Sequence, residues 1–383
     1  MQHFDYIIIG AGASGLLLAD AMGQDPWFAG KRIALLEQNP AKGNDRTWCF
    51  WERGAGVFDP LLHQSWNAMQ VAGPGFRRTS SLHPFRYKML RSAAFYAAYG
   101  KRLDTYPHIT RITSTVTALE EADGMARVTT PEHTYTAGHV FSSVLLQDRD
   151  QLMQPYPVLQ QHFTGWFIRS ENPVFDPEAP TFMDFDLPQN GNTRFMYILP
   201  TSPTEGLVEY TLFSKDLLAP EAYEAALRDY IDQRLGSQGY EILESEHGSI
   251  PMTSNDFTRA NSAHITHIGI AGGWAKPSTG YTFWNAVRNT PKVIRALKAG
   301  KNPEIRQPWR FWMYDRLLLD ALARENGKGG HIFSSQLRRL PIPLLLTFLN
   351  EETHLLQEAR VIATSPKGPF LRAAFRALFR SRA

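Results

Sequence analysis

Cysteine is nearly absent from this 383-residue chain. Its single cysteine, Cys49, excludes an internal disulfide and any multi-cysteine metal site, and it suits a reducing compartment such as the cytoplasm. No metal ligand set is expected. An excess of one charge is missing too. Forty Lys and Arg against 37 Asp and Glu leave a formal charge of +3, too little to argue for a nucleic-acid partner. Long hydrophobic runs are also lacking. The longest, Leu340 to Leu349, falls well short of the ~18–20 residues that cross a bilayer as a helix. Met1 to Asp5 carries no Lys or Arg, so the apolar stretch after it is not expected to act as a secretory signal. No internal repeat or low-complexity tract is evident. Hydrophobic residues make up 43% of the chain, enough for a large core in one domain or in two to three interleaved ones.

The chain opens with a strand, a glycine-rich turn, a helix and a second strand. Phe4 to Ile9 is a continuous β-branched and aromatic run, as in a strand buried on both faces. Gly10, Gly12 and Gly15 come next as a G-x-G-x-x-G fingerprint, then the helical Leu16 to Met22. Arg32 to Leu36 reads as the second strand and ends in Glu37. In this context the first glycine permits the tight turn and the second lets a pyrophosphate approach the backbone. The third packs helix on strand, and the helix N-terminus attracts phosphate. Glu37 is then the carboxylate for a ribose hydroxyl.

Further on, Arg86 to Arg102 reads as a helix, and short strands are expected between 110 and 145. From about residue 160, long alternating strands predict an antiparallel sheet with one wet face: Phe163 to Ser170, Thr181 to Leu187, Thr193 to Leu199 and Gly206 to Phe213. Pro220 to Leu235 reads as an amphipathic helix. Ile265 to Ala271 returns to buried-strand texture and runs into Gly272 and Gly273, with helices expected near 280–299 and 305–323.

An early fingerprint with a β-rich block inserted mid-chain is the layout of FAD enzymes of the glutathione-reductase type. The expected fold is therefore α/β. A Rossmann-type FAD-binding domain occupies 1–150 and 255–300, and an antiparallel substrate domain occupies 151–254. The rest, 301–383, forms a helical region that ends in a candidate membrane-surface helix at 369–382. Gly272 and Gly273 are expected to contact the second half of the flavin. Related hydroxylases usually carry Gly-Asp there, a departure that counts against a standard hydroxylase.

Several further segments resemble the bacterial lycopene β-cyclases. They are Asn44 to Trp51, Arg86 to Ser92 with Phe95 and Tyr96, Gly206 to Thr211, and Gly272 to Phe283. One segment departs: many relatives have Asp-Ser-Arg where Phe141-Ser142-Ser143-Val144 stands here, so no contact is carried over from it. The resemblance implies conversion of the acyclic ψ ends of lycopene or another ψ-ended carotene into β-ionone rings, without net redox change. It also implies FAD in its reduced form, with NAD(P)H as reductant. An FAD monooxygenase, a prenyl or carotenoid reductase of the same scaffold, and a carotenoid carrier are the alternatives.

Such chemistry needs a neutral carboxyl to protonate an alkene, a means of stabilising a tertiary cation, and a base for a ring proton. Glu209 matches the first Glu of the family's Phe-Leu-Glu-Glu-Thr motif and is the expected acid. Alternation alone favours a solvent-facing Glu209, because glutamate is rarely buried; the motif reverses that. Phe348 to Thr353 resembles the same motif but reads as a helix start with acids in its first turn, which leaves Glu351 as the alternative acid. Trp48, Phe50, Trp51, Trp274, Tyr281, Phe283 and Trp284 either line a polyene tunnel or pack a core. Lys276 faces either the flavin or solvent. Cys49 reads as inert packing. After Pro369, Arg372, Arg376 and Arg380 recur on one helical face and Leu371, Ala374, Phe375 and Leu378 on the other. That pattern suits a peripheral helix on the inner membrane face, or a terminal helix packed on its own domain.

Overall fold

Continuous apolar runs do become central parallel strands. The computed structural model describes residues 2–146, 152–237 and 239–380; the expected boundary at 150/151 and positions 381–382 of the expected terminal helix lie outside them. The chain divides into two compact units.

The first unit comprises Met1–Trp48, Arg91–Tyr156 and Asn255–Gln307. In its seven-stranded sheet, strand Gln2–Ile9 lies between Ile33–Glu37 and Thr134–Ser142, parallel to both. Ile109–Thr113 continues the parallel order beyond Ile33–Glu37, and the short Ile265–His267 pairs parallel with Thr134–Ser142. Met125–Thr129 and Ala118–Ala122 close the other side antiparallel. Phe4, Ile7, Ile9, Ala34, Leu36 and Val140 pack into one core cluster, as expected of strands covered on both faces. Helix Ala13–Gln24 buries Leu16, Leu17, Leu18 and Met22, and packs beside helix Phe283–Lys298.

The second unit comprises Cys49–Leu90, Pro157–Ser254 and Pro308–Ala383. Its seven-stranded sheet runs in the order Tyr240–Thr253, Val158–Ser170, Glu205–Ser214, Thr193–Pro200, Thr181–Asp184, Ala68–Gly73 and Phe76–Ser81. Trp166, Ile168, Met196, Ile198, Val208, Tyr210 and Leu212 share one face, which packs on Tyr223 and Leu227 of helix Pro220–Tyr230. Five helices lie beyond residue 308 among the described residues: Trp309–Arg324, Gly329–Arg339, Ile342–Leu349, Leu355–Thr364 and Lys367–Arg380.

Three local expectations fail, and a fourth, the helix Pro220 to Leu235, is met with a change of helix type near its end. Residues 86–91 belong to strand Phe85–Arg91, which pairs with Gln64–Trp66 and buries Tyr87, Lys88, Met89 and Leu90; the helix begins only at Ser92. Pairing partners outweigh weak local propensity there. Ile265–Ala271 forms only a three-residue strand, because Gly269 turns the chain at φ +61°. The segment read as Pro220 to Leu235 is an α-helix to Tyr230 with one π turn after it, Ile231–Leu235. The sheet's wet face is also absent at its centre. Strand Glu205–Ser214 is flanked on both sides and buried from Gly206 onward, and alternation of exposure survives on the two edge strands, Tyr240–Thr253 and Phe76–Ser81.

Candidate active site and cofactor cradle

In the first unit, Gly10 leaves strand Gln2–Ile9 at φ +92°, a region that favours glycine. A Cβ on Gly15 would lie 1.9 Å from the Gly10 carbonyl oxygen, so this glycine lets the helix seat against the turn. A Cβ on Gly12 would meet nothing within 4 Å. Open space thus lies over the residue that N-caps helix Ala13–Gln24, whose first N–H groups have no intrahelical acceptors. Glu37 Oε2 accepts from the Ala11 N–H at 2.7 Å and from Lys42 Nζ at 2.6 Å, and Oε1 accepts from the Asn39 N–H at 2.9 Å. Burial pushes the Glu37 carboxyl up, but the Lys42 ammonium and the two N–H donors outweigh it and hold the group below its ordinary value. Glu37 is therefore an anion fixed beside the glycine turn. Its ion pair with Lys42 was not read from the sequence.

The late glycines sit differently from expectation. The N–H groups of Gly272 and Gly273 donate within their own turn, to Ile268 and Gly269 and to Ile270. No helix starts there; the next begins at Phe283. Gly269 is the glycine closest to the first helix, since its Cβ would fall 2.8 Å from Ser14 Oγ. A positive-φ requirement after a parallel strand was the available signal for it. Lys276 is buried, which removes the solvated reading. Trp48 stacks on Phe283 at 5.0 Å between ring centroids, with Phe95 and Tyr96 edge-on to it.

In the second unit, Glu209 is 8% exposed on the inner strand Glu205–Ser214. Its Oε1 accepts from Thr211 Oγ1. Register places Glu209 opposite Gly165 on one side and Tyr197 on the other. The rows above and below on that face are Phe163, Thr211 and Phe195, and Phe167, Leu207 and Leu199. A carboxyl in so apolar a wall resists ionisation. Burial first, and the charge of Glu246 second, push the Glu209 carboxyl up to about 8, against a smaller opposing effect of the Thr211 bond.

Tyr197 Oη lies 2.5 Å from Tyr87 Oη, and Trp51, Trp66 and Phe182 surround the Tyr87 ring. Cys49 joins this group. Burial pushes its thiol up to about 12, outweighing the lowering by hydrogen bonds with Tyr197 and Tyr87, and the nearby acidic groups Glu246 and Glu209 act in the same direction as burial. It is thus a protonated, unreactive thiol. The gathering of Cys49, Tyr87 and Tyr197 around the acid was missed, because it joins segments more than a hundred residues apart.

Glu351 occupies a different setting. Phe348 and Leu349 end helix Ile342–Leu349, and Glu351 lies in the turn after it at φ +65°, ahead of helix Leu355–Thr364. It is therefore not in a helix's first turn. Among the described residues, no group of three or more His, Cys, Asp or Glu could hold a metal ion, and no helix is long and apolar enough to cross a membrane.

Comparisons with known proteins bear on the family and the fold. The family model "Lycopene cyclase protein" matches residues 5–375. The chain is 26% identical to the lycopene beta-cyclase of Pantoea ananas, over 97% of each chain. It is 30% identical to that of Paracoccus sp. (strain N81106 / MBIC 01143) over 43% of each. Among solved structures, it resembles a geranylgeranyl bacteriochlorophyll reductase-like protein from Thermoplasma acidophilum, with TM-score 0.63, 12% identity, and coverage of 97% of this chain and 98% of that one. It also resembles a triple mutant of the flavin-dependent brominase Bmp2, with TM-score 0.60, 14% identity, and coverage of 99% and 100%. At these identities the structural likeness establishes the α/β, Rossmann-type fold alone.

Proposed function

The chain belongs to the lycopene cyclase family, and from that premise we propose that it is an isomerase (an intramolecular lyase) that closes the ψ ends of lycopene into β-ionone rings. The observation that carries this reading is Glu209, a buried carboxyl kept protonated at pH 7 in an apolar wall. With Thr211 donating to Oε1, the acidic proton is on Oε2. Glu209 then delivers that proton to the terminal alkene, and the cation left on the chain attacks the neighbouring double bond to close the ring. The Glu209 carboxylate takes back a ring proton, so the protein ends as it began and the carotene keeps its formula. Phe163, Phe167, Phe195 and Leu207 exclude the water that would trap the cation.

FAD fits the first unit: Gly10 turns the chain, Gly15 seats the helix against that turn, the open space at Gly12 leaves room for a pyrophosphate, and Glu37 is an anion placed for a ribose hydroxyl. Gly272 and Gly273 are proposed to flank the flavin half. Bound and reduced by NAD(P)H, FAD would supply an anionic ring system that stabilises positive charge. The test is anaerobic incubation of the reduced protein with lycopene. A product of unchanged mass carrying β rings supports the cyclase. Added oxygen identifies a monooxygenase, added hydrogen a reductase, and recovered lycopene a carrier; each contradicts this reading.

Lycopene is a long hydrocarbon, so the enzyme is proposed to collect it at the inner membrane surface. Helix Lys367–Arg380 presents Leu371, Phe375 and Leu378 to the outside, each more than 60% exposed. Contrary to expectation, its basic face is engaged in ion pairs within its own unit. Arg372 is bound to Glu325 and Arg376 to Asp320, both by two donor nitrogens; the side chain of Arg380 lies outside those described. Docking therefore rests on apolar burial, at ~1.5–3 kcal/mol for each side chain fully inserted. Replacing Leu371, Phe375 and Leu378 together with Ser should reduce liposome sedimentation at least tenfold, while activity on detergent-dispersed lycopene survives. Binding of the unmodified chain should change little at 1 M salt; release by salt would contradict the apolar mode.

A further inference from the structure

Glu209 is not the only carboxyl in its row. In the sheet of the second unit, Gly165 on strand Val158–Ser170 pairs with Glu209 on one neighbour and with Glu246 on the other. Residues opposite one another across a sheet share a face, so the row reads Glu246, Gly165, Glu209, Tyr197. Gly165 contributes no side chain between the two acids. A Cβ there would lie 3.2 Å from Glu209 Cβ and 2.9 Å from Leu207 Cδ1, so the Glu209 side chain leans over the glycine towards Glu246. With strands ~4.8 Å apart, the two Cα atoms are separated by about 10 Å, a gap that two glutamate side chains can largely span.

We propose that Glu246 is a positioning residue for the cyclisation acid: its carboxylate, facing Glu209 across the bare backbone of Gly165, keeps the proton on Glu209. The inference rests on the reading of Glu209 as the acid and deepens it. One protonated and one ionised carboxyl is the arrangement that like charges enforce in an apolar setting. Glu246 is suited to the ionised role because it sits on the edge strand and is only half-buried, whereas Glu209 is buried on an inner strand. The electrostatic influence of Glu246 on Glu209 acts in the required direction.

Other titratable groups stand around the pair. Strand Thr193–Pro200 brings Tyr197, strand Phe85–Arg91 brings Tyr87, and strand Thr47–Arg53 brings Cys49. On its own strand, Glu244 lies two residues from Glu246 on the same face. Helix Trp309–Arg324 also packs on strands Val158–Ser170 and Tyr240–Thr253. Of its charged residues, Arg310 is bound to Glu358, Asp320 to Arg376, and Arg324 lies near Asp320; Asp315 and Arg316 are the others on this helix. Sequence alternation could not reveal the pairing, since register between strands eighty residues apart has no local signature. A glycine in the interior of a long strand was the one visible sign of close approach.

The experiment titrates Glu209 in two ways in the flavin-loaded protein. The infrared carbonyl band of its protonated carboxyl, identified by its loss in Glu209→Gln, is followed against pH. In parallel, the pH–rate profile of lycopene turnover is recorded. Glu246→Gln should shift both midpoints towards acid by about one pH unit, and Glu246→Asp should restore them most of the way. Superimposable titrations for the unmodified protein and Glu246→Gln would overturn the proposal. So would equal shifts in Gln and Asp variants, the mark of a purely structural role. The infrared arm reads the proton whether or not lycopene reacts. A failure of the cyclase reading, with no β-ring product from the unmodified protein, is therefore distinguishable from a failure of the Glu246 assignment.

Discussion

Glu209→Gln should lower lycopene turnover by ~10²–10⁴-fold, the usual contribution of a positioned proton donor, while FAD content and folding stay near normal. The amide keeps the shape and can still accept from Thr211, but it has no acidic proton to give. Stability should not suffer, because the substitution removes a titratable group from a site that is buried and apolar. Turnover of the unmodified chain should be level through neutral pH and fall as pH rises through about 8, where the raised carboxyl ionises. An acid that works when protonated is lost on the alkaline side. Steady-state kinetics with flavin absorbance on the same preparation check both parts. Retained activity in Glu209→Gln, with loss in Glu351→Gln, would move the acid to the turn at 350–352.

The second large effect concerns the glycine turn, where two substitutions of the same kind should part company. Gly12→Val adds a side chain where its Cβ meets no protein atom within 4 Å. The chain should fold, with unchanged far-ultraviolet circular dichroism, yet hold FAD ~10–100-fold more weakly, as overpacking costs of ~1–3 kcal/mol imply. Gly15→Val drives a Cβ into the Gly10 carbonyl oxygen at 1.9 Å. Backbone has to move there, so soluble yield and thermal stability should fall along with flavin. Equal flavin retention in Gly12→Val and the unmodified chain would mean that the pyrophosphate does not pass over this turn.

The strands of the first unit were legible because burial on both faces leaves an unbroken apolar run, as at Phe4 to Ile9, and because the glycine fingerprint dictates a turn and a helix directly after that strand. The antiparallel strands were legible too, from alternation and from turn residues at 171–180 and 188–192. Other parts carry no local signal. Ala68–Gly73 and Phe76–Ser81 join the second sheet through the parallel pair with Thr181–Asp184, a contact across more than a hundred residues. Arg86 to Arg91 contains no helix breaker, and only its partner strands make it extended. The terminal helix showed its two faces in sequence, but their outward and inward sense was set by Asp320 and Glu325 on another part of the unit, which capture Arg376 and Arg372. Glu209 itself was identified by motif; its burial, the feature that makes it an acid, came from two flanking strands that alternation cannot reveal.

The most direct measurement counts β-rings formed per flavin. The protein is reduced once under anaerobic conditions, freed of NAD(P)H and supplied with excess lycopene in detergent. Acid–base cyclisation returns every proton and moves no electrons, so many rings should form per flavin with the flavin still reduced at the end. A single ring per flavin, or one NAD(P)H oxidised for each ring when the donor is present, would contradict the redox-neutral account.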